Sequence, residues 1–238
     1  MTAETVPPFD APLAELHARI TACRVCRDAP DGSALPHEPR PVLRISSKAR
    51  ICLCGQAPGT RVHASGMPFT DPSGDRLREW MGVSDDEFYD TSRVAIVPMG
   101  FCFPGLDAKG GDLPPRPECA RHWRRELFDA LPGFELIVLI GHYAQRWHLG
   151  TRAKSTLTAT VENWAAYARD TFAAEADAAR AAKLGTGAAA GASKTNAPRF
   201  LPLPHPSWRN NAWLKRNPWF EAEVIPYLRA EVRRLLTV

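Results

Sequence analysis

No stretch of this 238-residue chain sustains the roughly 20 apolar residues that a bilayer-spanning helix needs. The amino terminus, MTAETVPPFDAP, has neither a basic start nor an apolar core, so no export signal is read there and a cytoplasmic protein without a membrane partner is expected. Strong charge imbalance is also missing. The 30 Lys and Arg against 26 Asp and Glu leave a net +4, too little to establish a polyanion partner but compatible with one where basic residues cluster. There is no internal repeat. Six cysteines in a chain with no export signal are better read as metal ligands or core residues than as a disulfide framework.

What is present suits one well-buried domain, because 45% of the residues are hydrophobic and the length is ample for a core. A single domain over 1–238 is expected. Three short apolar runs read as buried strands: Ala49 to Cys54, Arg93 to Met99 and Phe134 to Ile140, with Arg199 to Leu203 as a last short one. Helical patterns separate them, near Pro12 to Cys23 and Glu118 to Leu131, in a short helix after His142, and at the carboxyl terminus. Strands alternating with helices predict an α/β fold with a parallel sheet. Residues 173–198 are rich in Ala and Gly and predict a partly mobile surface insertion.

The stretch from Ile51 to Gly82 organises the rest. A strand runs into the Gly/Pro loop GQAPG, and a polar segment then leads to a helix that Ser73 can cap and that begins at Gly74. Strand carboxyl ends are where open α/β sheets bind ligands.

Four cysteines share a pattern. Cys23 and Cys26 form a C-x2-C pair, while Cys102 and Cys119 sit at a strand end and a helix start on either side of a Pro/Gly-rich loop. A four-thiolate site closed from two distant parts of the chain explains all four, and its spacing fits zinc or an iron-sulfur cluster. Cys52 and Cys54 lie within a strand and are read as packing residues. Arg121, Arg124 and Arg125 are either a basic patch or an ordinary solvated helix face.

In order along the chain, the C-x2-C pair, the GQAPG loop, GMPFTDPSGDRL, the Cys102/Cys119 pair and Pro204-His205-Pro206-Ser207 resemble the uracil-DNA glycosylase superfamily, closest to its iron-sulfur branches. The resemblance covers most of residues 20 to 215. It implies a three-layer α/β/α fold with a central four-stranded parallel sheet, and a structural 4Fe-4S cluster on Cys23, Cys26, Cys102 and Cys119, with zinc as the less favoured occupant. The implied partner is DNA carrying a damaged or deaminated base, handled by a monomer. Phe69 stands where the family places its stacking phenylalanine, and His205 where it places the histidine that stabilises the departing base.

Two departures stand out. Where many members carry a carboxylate in or just after the Gly/Pro loop, this chain has Gln56, Ala57, Thr60 and Arg61; PFTDPSGD resembles the branch whose catalytic carboxylate is an aspartate after the Phe-Thr pair, and that resemblance ranks Asp71 first and His63 second as the water-activating group. Pro98 replaces an asparagine that reads the base, so recognition is expected from the loop Gln56, Ala57, Pro58, Gly59 or from the amides of Met99 and Gly100. Ser207, Trp208, Arg209 and Asn210 are the expected DNA contacts, with Trp208 or Arg209 as a wedge. The function expected is base excision without strand cleavage. The alternative is an inactive protein of the same fold that binds uracil-containing or abasic DNA.

Overall fold

A computed structural model of the chain describes residues 11–131, 133–168 and 198–237. The insertion expected at 173–198 lies, apart from Pro198, outside the described residues.

Four strands, β1 (Ile51–Cys54), β2 (Val94–Ile96), β3 (Leu136–Ile140) and β4 (Arg199–Leu203), form one sheet in the order β2-β1-β3-β4. Every pairing is parallel, with Cys52 opposite Ala95 and Ile137, and Val138 opposite Leu201. Parallel strands covered on both faces need apolar residues at every position, and ICLC and LIVLI are buried throughout. Alternation then divides the core into two. Cys52, Cys54, Ala95, Ile137 and Leu139 face a layer formed by the Ala11–Thr21 and Pro117–Asp129 helices. Ile51, Leu53, Val94, Val138 and Leu201 face the Pro72–Met81 and Ile225–Leu236 helices. The result is an α/β fold with a four-stranded parallel sheet flanked by helices, as expected.

Several details differ from the sequence expectations. The first helix ends at Thr21, so Cys23 lies beyond it. Asp71, not Ser73, is the cap of the Pro72–Met81 helix, which begins two residues before Gly74. Proline at the first helical position places the cap on the residue before it.

The arginine group is not a basic patch. Arg121 pairs with Asp31, and Arg124 is only 2% exposed. The Arg124 guanidinium donates to the Pro98 carbonyl at 2.9 Å and to Cys54 Sγ at 3.1 Å, and lies 2.6 Å from His148 Nε2. Burial opposes ionisation of the Cys54 thiol, but a hydrogen bond with Cys52 and the Arg124 charge outweigh it and pull its pKa well down. Cys54 packs in the core and also accepts a hydrogen bond from a buried guanidinium. The contact ties the end of β1 to the chain leaving β2.

Candidate active site

A cavity opens at the carboxyl edge of β1. Gln56, Ala57, Pro58 and Gly59 form its floor, while Phe69, Asp71 and His205 stand on its walls. Pro98 and Asp112 line it as well. Three segments far apart in sequence therefore converge where β1 and β4 end.

Phe69 is held in a conformation it would not adopt alone. Its φ of 57° is the one positive value at a non-glycine residue among those described. The strain persists because its surroundings over-determine it. Its carbonyl accepts from Arg78 Nη1 at 3.1 Å and from the Tyr89 hydroxyl at 3.1 Å. Arg78, almost wholly buried, is fixed in turn by Asp75 at 2.6 Å and Asp85 at 2.8 Å. Asp75 thus orients Arg78 as well as sitting in the helix's first turn. Gly74 is required beneath this carbonyl, because a Cβ there would fall 1.9 Å from the Phe69 oxygen. The ring packs edge-on against Phe88, with centroids 5.9 Å apart, and its tip lies 3.6 Å from where Gly55 would carry a Cβ.

His205 follows β4. Its Nδ1 accepts from the Ser207 backbone N–H at 3.3 Å, which assigns the ring proton to Nε2. Its own carbonyl accepts from Asn210 Nδ2 at 2.7 Å. Burial lowers its pKa; the Asp71 charge opposes that shift and the Arg209 charge adds to it. A neutral imidazole with Nε2–H as donor results. Trp208 is 71% exposed, Arg209 lies over its ring at 5.6 Å, and Arg76 donates to the Ser207 carbonyl at 3.2 Å.

Other expected residues fall elsewhere. His63 is absent from the cavity lining; its ring packs against His37 at 4.4 Å and Phe103 at 5.7 Å, between centroids. The amides expected to read a base from Met99 and Gly100 already donate to the carbonyls of Gly55 at 2.9 Å and Gln56 at 3.0 Å. Those bonds brace the Gly/Pro loop instead. Asp71 does line the cavity, but its Oδ1 accepts both the Gly74 N–H at 3.2 Å and the Ser73 hydroxyl at 2.6 Å. Sequence reasoning missed Asp112. The acidic residue in GGDLPP, inside a loop that Pro and Gly make turn sharply, was its only signal.

The four cysteines Cys23, Cys26, Cys102 and Cys119 lie in one corner, with Cys119 within electrostatic reach of the other three. Burial pushes the Cys26 thiol up to about 11 and Cys102 up to about 12, and raises Cys119 as well. Two sulfurs receive N–H donors: Cys119 from Phe101 at 3.3 Å and Cys23 from the Trp123 indole at 3.1 Å. Among the described residues, no group of three or more His, Cys, Asp or Glu is already drawn together as a metal site. The donor chemistry nevertheless fits a thiophilic group. Desolvated thiolates are tolerable only beside a cation, and N–H donors to sulfur are the usual outer contacts of such sites.

A parallel α/β sheet with a cavity at its carboxyl edge, lined by an aromatic ring and a neutral histidine donor, is the arrangement the chain presents. Residues 44–229 match the family described as the uracil DNA glycosylase superfamily, and the chain belongs to it. No helix among the described residues is long and apolar enough to cross a membrane.

Proposed function

We propose that the protein is a monofunctional DNA glycosylase that takes uracil or a related deaminated base out of the stack and hydrolyses its N-glycosidic bond. The observation that carries this reading is the pairing, in one cavity, of Phe69 with a histidine whose hydrogen-bearing nitrogen is Nε2. A flipped base stacks on the ring. As the bond from C1′ to the base breaks, the electron pair leaves with the base, and a neutral N–H donor stabilises the resulting anion without first releasing a proton. No lysine is among the described residues lining the cavity, which agrees with hydrolysis by water and no lyase step. Exposed Trp208 and Arg209 beside the opening suit the gap left in the duplex and its phosphates.

Cys23, Cys26, Cys102 and Cys119 would hold a 4Fe-4S cluster with a structural role. When bound it would join the segment after the first helix to the start of the Pro117–Asp129 helix. Broad visible absorption with iron and sulfide in an anaerobic preparation is expected; a colourless zinc protein would overturn the assignment.

The activity test is incubation with single-stranded and duplex oligonucleotides containing uracil, hypoxanthine or xanthine, followed by alkaline cleavage at abasic sites. Product is expected from at least one, and His205→Ala is expected to slow its release by about 100- to 1,000-fold, the scale for losing one such donor. No product from any substrate would refute the enzyme reading. Tight binding to uracil or abasic DNA in that case would identify a non-catalytic binder.

A further inference from the structure

The two carboxylates at the cavity are not equivalent. Asp71 is committed to the Pro72–Met81 helix as its cap, accepting from the Gly74 amide, and the Ser73 hydroxyl donates to the same oxygen. Asp112 carries no such duty. It sits on a tight fold-back of the chain, where Leu106 and Asp112 bridge antiparallel and the Leu113 amide donates to the Gly105 carbonyl at 3.0 Å. Asp107 stiffens this turn by accepting from the amides of Lys109 and Gly111, each at 2.8 Å. Gln56 Nε2 reaches the Leu113 carbonyl at 3.4 Å, fastening the turn to the Gly/Pro loop.

The fastening puts the Asp112 carboxylate over Gly59, with Oδ2 only 3.4 Å from where a Cβ would stand. Among the described residues no hydrogen bond is made to this carboxylate; the charges it faces are those of Arg209 and Asp71. Both of its oxygens are therefore available to a water at the cavity mouth, which is open because Asp112 is exposed over much of its surface.

Resting on the glycosylase reading, we infer that Asp112, rather than Asp71, is the carboxylate that accepts the proton of the attacking water and balances the positive charge developing on the sugar. The water oxygen bonds to C1′ as the bond to the base nitrogen breaks. The electron pair leaves with the base towards His205, and the water proton passes to Asp112 and on to solvent. Burial raises the Asp112 pKa; Arg209 opposes that shift and Asp71 adds to it. A carboxylate moved towards the working pH is a better base than an ordinary one.

The test is single-turnover base release from one uracil-containing oligonucleotide between pH 5 and 9, with oligonucleotide affinity and melting temperature measured for every variant. Asp112→Asn is expected to lose about 100-fold or more in rate and the acid limb of the pH profile, keeping affinity within about threefold and an unchanged melting temperature. Asp71→Asn keeps a competent helix cap and is expected to lose less than about tenfold. An oligonucleotide carrying a cationic pyrrolidine in place of the sugar supplies a readout besides activity, and should bind the native protein at least about tenfold tighter than Asp112→Asn. An active native protein whose Asp112→Asn variant keeps more than about a third of the rate, or in which Asp71→Asn is the more damaging change, overturns the inference and leaves the glycosylase reading standing. A native protein that releases no base and does not prefer the cationic probe overturns both.

Discussion

The two walls of the cavity are built on opposite principles. The Phe69 wall is pinned from every side: a left-handed backbone, two donors on one carbonyl, a buried arginine between two aspartates, and a glycine that leaves no room for a methyl group. The other wall, from His205 to Asn210 with the Asp112 turn, hangs on a few hydrogen bonds and exposes Trp208 and Arg209. A platform that must hold a ring at one angle benefits from over-determination, whereas a rim that meets a nucleic acid must yield to it. Substitutions on the first wall should accordingly act foremost on stability, and those on the second foremost on binding and rate.

The largest expected effect is Gly74→Ala. The added carbon would lie 1.9 Å from the Phe69 carbonyl oxygen and 2.6 Å from its carbon, both backbone atoms that cannot swing aside. A loss of about 3 kcal/mol or more in urea unfolding is expected, at the upper end of overpacking costs. A change below about 1 kcal/mol would show that the pinned wall can shift, and would erase the contrast. Arg78→Met comes next, at about 2 kcal/mol. Asp75 and Asp85, each 74% exposed, regain water when the arginine is removed, so the main loss is the hydrogen bond to the Phe69 carbonyl and the order it imposes. Base release should fall with it, while affinity for undamaged DNA should not.

A third prediction concerns pH. Because burial holds the His205 pKa below its ordinary value, the unfolded chain binds a proton there before the folded one does. Its contribution therefore leaves stability unaffected at high pH and lowers it as pH falls through the unfolded value of roughly 6.5. His205→Asn should flatten the stability profile on the acid side of neutrality. An unchanged slope would mean that His205 is not held neutral.

How far these walls could be read in the sequence follows from the range of the interactions that make them. ICLC and LIVLI announce buried parallel strands because burial on both faces leaves no room for a polar residue, and local composition carries that signal. The GQAPG floor, Phe69 and His205 came from motifs. Asp71 is legible as the acid of PFTDPSGD, but its capping bond is less so, since in D-P-S two side-chain oxygens compete for one cap and Pro72 decides between them. His63, one turn into the helix after the floor, is directed at His37 and Phe103 by a contact with a segment more than 20 residues earlier, which no local pattern encodes. Asp112 was invisible for the same reason. Its position depends on Gln56 meeting Leu113 across 57 residues. Arg124 shows the limit most plainly: by composition it belongs to an exposed cluster, yet the chain buries it against Cys54 and the Pro98 carbonyl.

The smallest effect on stability, and the sharpest test of the compliant wall, is expected from Trp208→Ala. The indole is 71% exposed and touches Arg209 by a face contact at 5.6 Å, so little packing is lost when it goes. The melting temperature should stay within the range of ordinary surface changes, within about 0.5 kcal/mol in free energy. A large exposed aromatic side chain beside an arginine, at the mouth of a cavity, contributes only once something stacks on it. Stacking of a base on an aromatic side chain is worth about 1–3 kcal/mol, so affinity for a uracil-containing oligonucleotide should drop by about five- to 100-fold. Arg209→Ala should weaken binding too, but with a shallower dependence on salt than the native protein, because a phosphate contact releases counterions and a stacking contact does not. If Trp208→Ala instead lowered stability and left affinity intact, the indole would belong to the pinned wall, and the division between a rigid platform and a yielding rim would have to be redrawn.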